Sequence, residues 1–175
     1  MFSTENPCFE PAASAYRLLI KAGNVLGYWL LLLLFRLDFG YQFFTTGKGK
    51  LLDHQSVADF FATLHIPFPG FNAWFVGGVE CIGGMLLILG LAARPVGLIL
   101  SVNMTVAYLS VADDRAKVLD FIQHPIKNQD AFVQADPFFF LLTALLIFGF
   151  GAGPISIDRL IEQALKKKQP TQKPN

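Results

Sequence analysis

Four long apolar runs without a polar face constrain this chain more than any other feature. The strings LLLLLF and FFFLLTALLIFGF repeat no polar residue at helical period, as the outer side of a soluble helix would. Crossing about 30 Å of hydrocarbon takes roughly 20 helical residues, somewhat fewer at the thin limit. Four windows meet that length, from about Val25 to Thr46, Phe71 to Leu91, Pro95 to Ala112 and Pro137 to Gly153. Composition agrees. The chain is 53% hydrophobic and 15% charged, with 18 Phe, which is too little charge to cover a soluble domain of 175 residues. The expected fold is all-α, an integral membrane four-helix transmembrane bundle with short interfacial amphipathic helices.

Glycine and proline punctuate the windows: Pro67, Pro69 and Gly70 precede the second, Pro95 opens the third, and Gly151, Gly153 and Pro154 close the fourth. The first apolar run lies far from the terminus and no small-residue cleavage site follows it, so no cleaved signal peptide is expected. One set of flanks collects Arg17, Lys21, Arg94, Arg159, Lys166, Lys167, Lys168 and Lys173, and the other Lys48, Lys50, Arg115, Lys117 and Lys127. The larger set belongs on the cytoplasmic side, which puts both termini there, in a multi-pass protein of the cell membrane. The chain then divides into an interfacial segment 1–24, a transmembrane domain 25–160 and a basic tail 161–175. Residues 57–64 read as a short amphipathic helix on the outer surface, and Ser156 as the cap of a second one ending in Lys166–Lys168, suited to anionic lipids. Residues 1–15 and 169–175 read as loose, and 16–21 as lying along the membrane surface.

The informative residues are polar ones inside the spans. Arg36 and Asp38 fall in the first, Glu80 and Cys81 in the second and Asn103 in the third. Ionisable groups at such depth are costly, and they pair or line a polar cavity. Counting inward from the outer face, Arg36 is about ten residues below Thr46, while Glu80 and Asn103 are each about nine residues deep. An Arg36–Glu80 ion pair is therefore expected, with Asn103 nearby. Gly77, Glu80, Gly83 and Gly84 form a small-residue stripe that permits close helix approach. Asp38 and Gln42 lie on another face, Asp38 about 200° around from Arg36. Asp38 either meets another helix, reaches another protomer or stays protonated, since burial without a cation favours the neutral form. It is thus a candidate for proton chemistry.

The strings FRLDFGYQFFTTGKGKL, VGGVECIGGMLLILGLAARPVGLIL and DPFFFLLTALLIFGFGAGPISIDRLI closely resemble the DoxX family of small membrane proteins. The shared features are Arg36-x3-Gly40 running on to Gly47 and Lys50, Glu80 followed by Gly83 and Gly84, the turn at Gly90, Leu91 and Arg94, and Gly153, Pro154, Ser156 and Asp158. They extend from Phe35 to roughly Leu160, and the loop 113–136 is long for the family. The resemblance implies a four-helix membrane fold and a loose link to redox biology. Some relatives are small subunits of thiosulfate:quinone oxidoreductases, and others associate with thiol and superoxide detoxification partners.

Two function classes follow. In the first, a redox-associated subunit uses Arg36, Asp38 and Glu80 as catalytic candidates, with Gln42, Asn103 and Cys81 in the surrounding polar core. Phe-rich walls with few polar groups suit a quinone; if enzymatic, the activity would be of the thiosulfate:quinone type. No haem, flavin or iron–sulfur ligand pattern is visible, so no bound cofactor is expected and electrons would come from a partner subunit. In the second, the buried ion pair is structural and the protein is a membrane scaffold or assembly factor. Asn103 then serves as interhelical glue and Cys81 as a small buried apolar residue. His54, His65 and His124 match no ligand spacing, so no metal is expected. Membrane lipids are partners in either case, a homo-oligomer stays open, and nothing points to nucleic acid.

Overall fold

The computed structural model describes residues 10–125, 129–135 and 137–168. Among them, all regular structure is helical. The elements are α1 (Glu10–Asn24), a π-helical segment (Val25–Leu31), α2 (Leu32–Leu52), α3 (His54–Thr63), α4 (Pro69–Leu89), α5 (Ala93–Ser110), α6 (Ala112–Gln123), α7 (Gln129–Val133), α8 (Pro137–Phe150) and α9 (Ile157–Lys168).

Helix ends fall where the sequence supplies the geometry. Pro69 occupies the first turn of α4, where a missing N–H is harmless. Gly90 ends α4 with φ +66°, a left-handed conformation that costs glycine little. Its N–H donates to Leu87 O and that of Leu91 to Leu86 O, both at 3.0 Å, so two terminal carbonyls are satisfied.

The buried residues of α2 are Leu32, Arg36, Gly40, Phe43 and Gly47; on α4 they include Ala73, Gly77, Glu80, Gly84 and Leu87. Both sets step by four and three residues, the period of a coiled-coil seam. Glycines make the seam tight. A Cβ on Gly84 would strike the backbone of Phe44 and Gly40, and one on Gly47 that of Cys81 and Gly77. Gly97 of α5 likewise abuts Phe148 and Ala144 of α8. Phe43, Leu87, Leu100 and Ile147, one from each of α2, α4, α5 and α8, are fully buried in the shared core.

Two helices are long and apolar enough to cross a membrane, 13–52 and Pro69–Leu89. A third candidate is α5 joined to α6, bent by 99° between them. The fourth window is a helix of 14 residues, about 21 Å long and short of the hydrocarbon thickness. The expected segment 16–21 is not separate from the first span, because α1 runs on through the π-helical segment into α2. Within the loop 113–136 the chain forms α6 and α7. Cys8, Lys127, Asp136, Lys173 and, of the stretches expected to be loose, residues 1–9 and 169–175 lie outside the described residues, whereas residues 10–15, also expected to be loose, belong to the helix α1.

Candidate functional site

The polar residues separate into three places. Lys50 Nζ lies 2.6 and 2.7 Å from the two carboxylate oxygens of Glu80. Asn103 Nδ2 donates to Glu80 Oε1 at 3.0 Å. The Glu80 side chain is 2% exposed and that of Lys50 32%, so the carboxylate is deep while the ammonium reaches inward from the end of α2. The long alkyl stem of lysine permits that reach.

The expected Arg36–Glu80 pair does not form. Antiparallel packing sets Gly40 against Gly84 and Ile88, and Gly47 against Gly77 and Cys81. Continued in one direction, this register brings Arg36 to the α4–α5 turn; in the other, it brings Glu80 level with the last turn of α2. The depth count failed because it made Thr46 and Phe71 level, whereas α2 continues to Leu52 and the start of α4 extends past its end.

Arg36, 2% exposed, instead binds the chain that follows α8. Its Nη1 donates to Ala152 O, and its Nη2 to Ile155 O at 2.8 Å. Its buried Nε has no partner among the described residues. Beside it, Asp158 accepts from the N–H groups of Ala92 at 2.7 Å and Ala93 at 2.9 Å, while its own N–H donates to Gly90 O at 3.0 Å. No side chain of α5 itself caps that helix, so Asp158 supplies the cap from a distance.

Asp38 is the third place, and it is exposed rather than buried. It accepts from Gln42 Nε2 at 2.8 Å, one turn along the same helix. The rotation of about 200° that separates it from Arg36 turns it away from α4. Cys81 is a free, half-buried thiol whose backbone, rather than its sulfur, forms the contact with Gly47.

Beside the Lys50–Glu80–Asn103 group is a cavity of about 480 Å³. Its apolar wall comes from Val57, Phe60, Phe61 and Leu64 of the α3 region, facing Val106 and Ala107 of α5. The amphipathic helix expected at 57–64 thus forms the cavity's cover. His54 helps hold it in place: the ring meets Gly70 O at 2.8 Å and lies 5.0 Å from the Trp74 ring. Sequence reasoning missed Lys50 as a site residue. The signal was present in the series Arg36, Gly40, Phe43, Gly47, which Lys50 continues at the next step of three.

An all-helical membrane protein with an ion pair and an amide set beside an apolar cavity is the class that this architecture defines. Residues 31–113 match the family model DoxX, a stretch that takes in α2 to α5 and contains Arg36, Lys50, Glu80 and Asn103. The match ends before α8 and Asp158. The chain is also similar to Putative oxidoreductase CatD of Bacillus subtilis (strain 168), with 33% identity over 79 residues. That alignment covers 45% of this chain and 58% of the relative, less than two thirds of its length. No solved structure matches.

Proposed function

We propose that the protein is a four-span subunit of a redox system that binds a quinone in the cavity between α3 and α5. The observation that carries this reading is the cavity itself, apolar on its walls and charged at one edge. Lys50 spends two of its three N–H donors on Glu80 and keeps one for a ligand carbonyl. Asn103 keeps a second amide N–H and its oxygen. Reduction of a quinone to the quinol takes up two electrons and two protons. A partner redox subunit would supply the electrons, and Glu80 is placed to relay protons. The oxidoreductase in the name of the Bacillus subtilis relative agrees with this class of reaction. Arg36, Asp38, Gln42 and Cys81 stand outside the proposed quinone site.

The test is calorimetric titration of a short-chain ubiquinone into the purified protein in detergent. Wild type should bind, Lys50→Met should bind about tenfold more weakly for the loss of one charged hydrogen bond, and Arg36→Met should bind as wild type does. No binding to the wild type would reject the quinone site.

A second reading rests on the Lys50–Glu80 contact as a staple between α2 and α4 in a scaffold. It gains if quinone fails to bind while the paired variants still couple in stability.

A further inference from the structure

At the end of the molecule opposite the quinone cavity is a second concavity of about 610 Å³, between the start of α5, the end of α8 and α9. Its walls are unlike those of the first. Trp29, Pro95 and Phe150 contribute apolar lining, and Arg94 and Arg159 bring two guanidinium groups.

Two carboxylates also line it, and both are engaged. Asp158 is held by the N–H groups of Ala92 and Ala93. Glu162 accepts from Lys166 Nζ at 2.5 Å and lies 3.8 Å from Arg159 Nη1. The Lys166 hydrogen bond, with its positive charge and that of Arg159, holds the Glu162 carboxyl below the usual range. Arg94 is different. It lies across Gly151, its Nε 3.3 Å from where a Cβ there would stand, and among the described residues it has neither a hydrogen bond nor an ion pair. The position suits a cation, because it adjoins the C-terminal end of α8, the negative end of the helix dipole. The guanidinium still keeps donors for an external anion.

Arg guanidinium and phosphate fit one another through paired, charge-assisted hydrogen bonds. Tryptophan beside them is the residue type that settles at the headgroup level of a bilayer. The apolar lining beside them suits acyl chains that continue from such a headgroup. We infer that this concavity is a binding site for an anionic phospholipid, its phosphate held by Arg94 and Arg159 and its chains lying along Trp29 and Phe150. The site is distinct from the Lys166–Lys168 cluster, which would attract an anionic surface without a pocket.

The two tryptophans, Trp29 and Trp74, make it measurable. In full-length protein carrying Trp74→Phe, Trp29 is the sole indole and reports lipid contact through quenching by brominated acyl chains. Brominated phosphatidylglycerol should outcompete brominated phosphatidylcholine of the same chain length by about tenfold, because both carry the phosphate but the choline ammonium cancels its charge and is repelled by the two guanidinium groups. Inorganic phosphate should not displace it. Arg94→Gln with Arg159→Gln should bring the preference close to unity, and Lys166→Gln, Lys167→Gln and Lys168→Gln together should leave most of it. Equal quenching of the unsubstituted site by the two lipids would overturn the inference without recourse to any Arg variant. So would displacement by free phosphate, or a preference that follows the three lysines instead of the two arginines.

Discussion

Lys50 decides the chemistry of the cavity under α3 from a position where a lysine would ordinarily face water. Its ammonium and the Glu80 carboxylate compensate one another, and Asn103 fills a further acceptor site on the acid. Such a pair is an asymmetric element: removing one member leaves the other charged and enclosed. Lys50→Met strands a carboxylate that is 2% exposed, so it should destabilise the protein by about 3 kcal/mol. Glu80→Gln should cost less, because Lys50 is partly exposed and can turn outward. The double change Lys50→Met, Glu80→Leu should recover much of the loss. Thermal unfolding in detergent measures all three. Full additivity of the single changes would show that the pair has no energetic coupling. Sequence alone exposed the acid and the amide, since both interrupt apolar runs. The base was legible only as the next step in the buried series of α2, because Lys50 sits among the charges of a helix end and the antiparallel register decides which way it reaches.

At the scale of elements, the α2–α4 seam was legible and its register was not. The spacing of Gly77, Gly83 and Gly84 announces close packing, but spacing is blind to sliding along the seam. Backbone contacts remove that freedom, because Gly84 fits only against Phe44 and Gly40. Gly84→Ala should therefore cost about 1–3 kcal/mol, as an overpacked site does. Gly78, on the same helix, has nothing within 4 Å of an added Cβ. Gly78→Ala should be neutral or stabilise by up to about 1 kcal/mol through helix propensity. Opposite signs for the two alanines are the result to look for; equal losses would contradict the seam. The α4–α5 turn makes a separate prediction. Asp158→Ala removes the acceptor for two N–H groups at the start of α5 and should cost about 1–2 kcal/mol in the same unfolding assay.

For the whole molecule, apolar runs identify a membrane protein before any contact is known, but they leave the number of crossings open. Length alone counts two helices, or three with the bent α5–α6 pair, and α8 is short. Contacts across the chain bear on the same question. Asp158 and Ala152, which follow α8, bind the α4–α5 turn and Arg36. The chain leaves α5 at Ser110, at the opposite end, beside the cavity under α3. It must return along the length of α5 to reach Asp158, and α8 packed on α5 is the segment that returns. This favours a fourth crossing, with α7 or the chain after Phe150 making up what α8 lacks in length. The reading predicts that Gln55 and Lys166 face opposite sides of the membrane. With Cys8 and Cys81 replaced by serine, a membrane-impermeant maleimide applied to intact cells should label Gln55→Cys and, until the cells are opened, spare Lys166→Cys. Labelling of both from outside would mean that α8 turns back within the bilayer. Labelling of Lys166→Cys alone would keep four crossings and reverse the orientation inferred from lysine and arginine, placing the cavity under α3 on the cytoplasmic side and the proposed phospholipid site on the outer one.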